Sequence, residues 1–72
     1  MRRYMILIQE YKDKILIDNW YLKDTTYPGT LLFFDYEKAL KQAKSETYSR
    51  TEGDKHFLYK ATVILCQHER TI

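Results

Sequence analysis

The stretch from Thr30 to Tyr48, TLLFFDYEKALKQAKSETY, holds the one amphipathic helix pattern in this chain and limits what the remainder can become. Asp35 suits an N-cap, where its carboxylate takes a free amide of the first turn, and Glu37 adds negative charge where the helix dipole favours it. From there Tyr36, Ala39, Leu40, Ala43 and Thr47 recur at helical spacing and mark a buried stripe. Lys38, Lys41, Lys44 and Tyr48 fall on the opposite side. Two alanines in the stripe let the helix sit close to a sheet. Arg50 lies near the C-terminal end of this unit, and Gly53 suits a helix stop. Every other apolar run has strand character, so the fold must be a sheet with one helix on it.

Tyr4 to Ile8 is apolar at consecutive positions, which asks for cover on both faces and so for a central strand. Tyr11-Lys12-Asp13-Lys14 is a polar break of hairpin-loop length without glycine. Ile15-Leu16-Ile17 resumes a β-branched run that continues through Trp20-Tyr21-Leu22, and the two segments pair most simply as an antiparallel hairpin. Asp24 to Gly29 is the strongest turn, with Pro28 presetting φ and Gly29 accepting a positive φ. Leu31 to Phe34 then reads as a third short strand. The run from His56 to Gln67 is the last strand; its odd positions Phe57, Tyr59, Ala61, Val63 and Leu65 are all apolar, and Ala61 is small where a helix can cross. Its even positions mix Leu58 and Ile64 with Lys60 and Thr62, as on a half-solvated face. The expected fold is α+β in the order β-β-β-α-β: a mainly antiparallel sheet of three to four strands, the first and last central, with a single helix on one face.

Seventy-two residues make one small domain, 1–72, near the lower limit for a self-sufficient core. Such a core yields about 3–5 kcal/mol net, so small folds often lean on disulfides, metals or association. A single cysteine, Cys66, excludes an intramolecular disulfide and fits a reducing compartment. Twelve Lys and Arg against ten Asp and Glu give a net charge of +2, neither a polybasic arm nor an acidic mimic of nucleic acid. No apolar run approaches the ~20 residues of a membrane span. Met1-Arg2-Arg3 leads into a run that ends at Gln9-Glu10 without a cleavage site, so it reads as a strand rather than a signal peptide. The expectation is a soluble, cytoplasmic domain.

Counting faces sharpens this. A helix of about 15 residues is roughly 22 Å long and 10 Å wide, whereas four strands at about 4.8 Å spacing make a sheet nearly twice that width. One helix therefore covers about half of one face, while Tyr4–Ile8, Ile15–Ile17 and Leu31–Phe34 put apolar groups on both. The remainder must be met by the Asp24–Gly29 loop, by a second copy packed sheet to sheet, or by a different protein.

Chemistry finds little to work with. His56, Cys66 and His68 share one parity on the last strand, but His56 and His68 are twelve residues apart, roughly 40 Å along a straight strand. Cys66 and His68 alone do not make a zinc site. Cys66 sits in an apolar run where a thiol is inert. Asp13, Asp18, Asp24 and Asp54 fall in turns and at strand ends, as solvated charge. With two glycines the chain has no phosphate-cradling loop. The expectation is a non-enzymatic protein without metal or cofactor.

Binding is better supported. Aromatic residues are 15% of the chain and seven are tyrosines, which combine a broad contact area with a polar tip. Large aromatics and cations carry most interface energy, so the candidate contact residues for a protein partner are Trp20, Tyr21, Lys23 and Tyr27 around the second strand and loop, with Lys41, Lys44 and Tyr48 as a second face. Self-association as a homodimer is the companion expectation. The alternative is a single-stranded nucleic-acid binder that stacks bases on these rings and meets phosphate with Lys41, Lys44 and Arg50. Against it, the glycine–aromatic–basic pattern of RNA-binding sheets is absent and the charge is balanced.

The run LFFDYEKALKQAKSE followed by FLYKATVIL resembles short accessory proteins of bacteriophages and other mobile elements. In those, a strand or hairpin leads through a phenylalanine–aspartate–aromatic–glutamate–x–alanine helix start into a last strand. The likeness covers about half of the chain and lies in the packing positions Phe34, Asp35, Ala39 and Ala43. It implies a small protein that binds and blocks or redirects a host or defence-system protein, anti-CRISPR proteins among them. No functional residue carries over, because that class shares no common site.

Overall fold

The computed structural model describes residues 2–25 and 29–66. In chain order the elements are β1 (Tyr4–Lys12), β2 (Ile15–Tyr21), α1 (Tyr36–Glu46), β3 (Tyr48–Glu52) and β4 (Lys55–Leu65). The strands form one antiparallel sheet in the order β2-β1-β4-β3, with α1 packed over β1 and β4. The class is α+β, with β1 and β4 at the centre as their composition requires. The element order is β-β-α-β-β, which corrects the expected β-β-β-α-β. No helix of the described residues is long and apolar enough to cross a membrane.

Two local misreadings explain the difference in order. Leu31 to Phe34 forms no ladder strand. Phe33 exchanges both backbone hydrogen bonds with Tyr4, each 2.8 Å, while Thr30 bridges Lys23 and the Leu31 N–H donates to the Leu22 carbonyl at 2.9 Å, so the segment makes isolated bridges to β1 and to the chain just after β2. Conversely, the helix stops at Glu46, and Tyr48 opens a strand instead of lying on the helix. Gly53 is not a helix stop but the corner of the β3–β4 hairpin. Its φ of 62° fits the first central position of a two-residue turn closed by Glu52 and Lys55.

The β1–β2 hairpin is closed by Lys12 and Ile15, and both central residues, Asp13 (φ 49°) and Lys14 (φ 72°), are left-handed. That is the type I′ geometry, whose twist matches the flanking strands, built here without glycine. Asp13 is held from the side: its N–H donates to the His56 carbonyl at 2.8 Å and its carboxylate accepts the His56 N–H at 3.0 Å. A bulge at Glu10/Tyr11 shifts the register against β2.

Asp35 caps α1 as its position demands, its Oδ1 accepting from the Glu37 amide at 2.9 Å. At eleven residues the helix is about 16 Å long. It lies along the half of the sheet that carries Ile6, Ile8, Ala61 and Val63. Ile6, Ile8, Ala39 and Ala43 are the buried hydrophobics among the described residues, with Leu22, Phe33, Tyr59, Ala61 and Val63 packed against the cluster of Ile6, Ile8 and Ala43. Two of these four are alanines, so the core is thin, but they allow backbone to approach backbone.

Register sorts the side chains cleanly. Glu10, Lys12, Asp18, Trp20, Tyr48, Arg50, Glu52, Lys55, Phe57 and Tyr59 share the helix side of the sheet, beyond the end of the helix. The opposite side carries Met5, Leu7 and Tyr11 of β1, Tyr21 and Leu16 of β2, and Leu58, Thr62 and Ile64 of β4. No element of the described chain covers it.

Candidate functional site

Where α1 ends, the helix side of the sheet continues as an open aromatic platform centred on Tyr59. Tyr59 lies opposite Glu10 on β1 and opposite Tyr48 on β3, so it has a neighbour on each side on the same face. The Tyr48 ring stacks on Tyr59 at 4.7 Å and 15°, while Trp20 meets Tyr59 edge to face at 6.5 Å and 60°. These are the offset and T-shaped arrangements that the ring quadrupoles favour. Arg50 extends the array, its guanidinium 4.3 Å from the centre of the Phe57 ring.

The polar groups are tied into one chain. Arg50 donates from Nη2 to the Tyr59 hydroxyl at 3.2 Å, and that hydroxyl donates to Glu10 Oε2 at 2.7 Å. Arg50 also pairs with Glu52. The Arg50 guanidinium is held above its ordinary pKa, chiefly by the bond to Tyr59. For Tyr59 the Arg50 bond pulls the phenol down, but donation to Glu10 together with desolvation pushes it up, and the net shift is upward. Tyr59 therefore stays protonated at neutral pH and bridges a cation and a carboxylate. The bridge fixes the ring, which keeps Trp20 and Tyr48 in place at 38% and 53% exposure.

The candidate contact residues separate in space. Trp20 and Tyr48 join through Tyr59, although Tyr48 reaches the platform from β3 and not from the helix. Tyr21 points to the opposite face, opposite Leu7. Lys23 sits in the bridge to Thr30. Lys41 and Lys44 are exposed on α1, and Lys44 borders a shallow hollow of about 430 Å3 with Tyr36 and Leu40. Tyr27 lies outside the described residues, as does His68, the proposed neighbour of Cys66. Among the described residues, no three His, Cys, Asp or Glu side chains gather.

Tyr59 and Phe57 are platform residues that the sequence does not single out, and Arg50 is named there only as a phosphate contact beside Lys41 and Lys44. The available signal is the apolar odd parity of the last strand, which places Phe57 and Tyr59 on one face with Ala61. A larger open hollow of about 680 Å3 lies at the hairpin end, lined in part by Tyr11, Ser49, Thr51, His56, Leu58 and Lys60. Thr51 Oγ1 is 3.3 Å from His56 Nδ1 there. The nearby Asp13 carboxylate is engaged by the His56 backbone amide rather than the ring.

The fold and surface define a four-stranded antiparallel α+β domain with an aromatic platform. No protein-family model, curated protein or solved structure matches the chain.

Proposed function

We propose that this chain is a small phage-type binding protein that inhibits or redirects a host or defence-system protein by occlusion, doing no chemistry of its own. The observation that carries this reading is the platform of Trp20, Tyr48, Tyr59 and Phe57 with Arg50, held open beside the helix. Tryptophan, tyrosine and arginine are the residues that dominate protein interfaces, and rings already locked by their neighbours lose little entropy on docking. Charge argues for protein over nucleic acid. On the platform side Lys12, Arg50 and Lys55 are balanced by Glu10, Asp18 and Glu52, so phosphate finds no net attraction. Capture from host lysate with immobilised protein tests the reading. Trp20→Ala and Tyr48→Ala each reduce recovery of the captured protein at least tenfold with an unchanged circular dichroism spectrum. Equal recovery by both folded variants would remove the platform from the interface.

A further inference from the structure

The helix-free face of the sheet has a composition that a solvated surface does not need. Met5, Leu7, Tyr11, Leu16, Tyr21, Leu58 and Ile64 lie there beside the uncharged polar Gln9, Asn19, Ser49, Thr51 and Thr62 and His56, and of the strand positions facing that way only Lys60 carries a full charge. The helix side carries six ionic side chains on the same four strands. Binary patterning of an exposed sheet face would put the charges on both. Here they have been kept off one side, the side that nothing in the described chain covers. At the same time the described residues include four buried hydrophobic side chains, two of them alanine, which is little to hold a sheet together.

We infer that this face packs against the same face of a second copy of the chain, giving a two-fold sheet-on-sheet dimer. The area fits such a dimer. Strands of 9, 7, 5 and 11 residues lay out roughly 500 Å2 of flat sheet per copy at about 3.3 Å per residue and 4.8 Å between strands. Two copies bring roughly 1,000 Å2 together before side-chain relief is added, at the low end of specific interfaces. Aligned sheets about 10 Å apart interdigitate side chains of this kind, and a two-fold contact needs only one self-complementary surface. Among the strand positions of this face a strongly charged partner finds only Lys60 to pair with. The dimer turns a one-layer sheet into a sandwich with a shared core, with the helices and platforms of both copies facing outward. Two platforms on one particle make the protein bivalent, a property that follows from the dimer whatever the platforms bind.

Sedimentation equilibrium of the full chain over about 1–200 µM tests this in the range that an interface of modest size populates. The expected result is a monomer–dimer equilibrium that Leu58→Lys and Tyr21→Lys each weaken at least tenfold, because both side chains enter the shared core. Each residue is 42% exposed in the single copy, so both variants keep the fold, as circular dichroism checks; if one unfolds, the other decides. Trp20→Ala, on the opposite side, leaves the equilibrium unchanged, which separates this inference from the platform reading. A wild-type chain that stays monomeric at the highest concentration overturns the inference. So does a dimer indifferent to the folded face variants, a dimer lost in Trp20→Ala alone, or a ladder of larger species.

Discussion

The Thr47 hydroxyl joins helix to sheet: it donates to the Ala43 carbonyl at 3.1 Å and accepts the Ala61 amide at 3.1 Å. β3 begins at the next residue and pairs β4 only as far as Tyr59, so a side chain takes the next outward amide that a backbone carbonyl would otherwise take. Thr47→Val keeps the shape and removes both bonds. The expected loss is about 1–2 kcal/mol, read as a lower denaturant midpoint at constant slope, with Thr47→Ser retaining most of the stability. A valine variant as stable as the parent would show that the hydroxyl contributes nothing.

The two hairpin turns respond in opposite directions to glycine chemistry. Lys14 holds a φ of 72° that glycine adopts freely, so Lys14→Gly stabilises by about 0.5–1 kcal/mol. Gly53 has the same sign of φ, and a Cβ there meets nothing within 4 Å. Gly53→Ala therefore costs about 1 kcal/mol through backbone strain alone. Thermal melts of the two variants give shifts of opposite sign.

Ala39 is fully buried between α1 and the sheet. Ala39→Leu adds volume where the helix has no room to retreat without uncovering Ile6 and Ile8. A loss of about 1–3 kcal/mol is expected, with weakened protection of the helix amides in hydrogen exchange. Stability equal to the parent would mean that the helix floats above the sheet.

The Tyr59 bridge has an alkaline limit. Its phenol is raised in the folded state, so its contribution is fully present below the unfolded value of about 10 and is lost as pH climbs through the folded value. The difference in denaturant midpoint between the parent and Tyr59→Phe is largest near neutrality and shrinks above about pH 10. A difference that stays flat to pH 11 would uncouple the hydroxyl from Glu10 and Arg50.

What the sequence made legible follows from burial. Tyr4 to Ile8 announced a central strand because both faces are apolar, and Asp35 announced a helix start because its carboxylate takes a local amide. The strand Tyr48–Glu52 was hidden because its sequence, YSRTE, has no apolar alternation, and all five residues are exposed. It is held by cross-strand partners: Tyr48 on Tyr59 and Arg50 over Phe57. Such pairing is shared between the two arms of a hairpin and leaves no periodic mark in either. Leu31 to Phe34 gave the converse error, since apolar residues beside a helix imitate a strand while Phe33 alone exchanges backbone bonds with Tyr4. The platform was half visible for the same reason: Trp20 and Tyr48 stand out by residue type, whereas Tyr59 acquires its role only from the register that sets it between Glu10 and Tyr48.

The central ladder from Tyr4–Leu65 to Lys12–Phe57 also governs how the chain comes into being. During synthesis β1 emerges early and finds β2 within a few residues, but its other edge stays open until β4 leaves the ribosome. Until then α1 has only half a floor, and Ile6 and Ile8 stay wet. Contacts of such long sequence separation are slow to close. The sheet is therefore closed late: of the described elements, those before Lys55 include the β1–β2 hairpin and α1 but not the β4 half of the ladder that floors the helix.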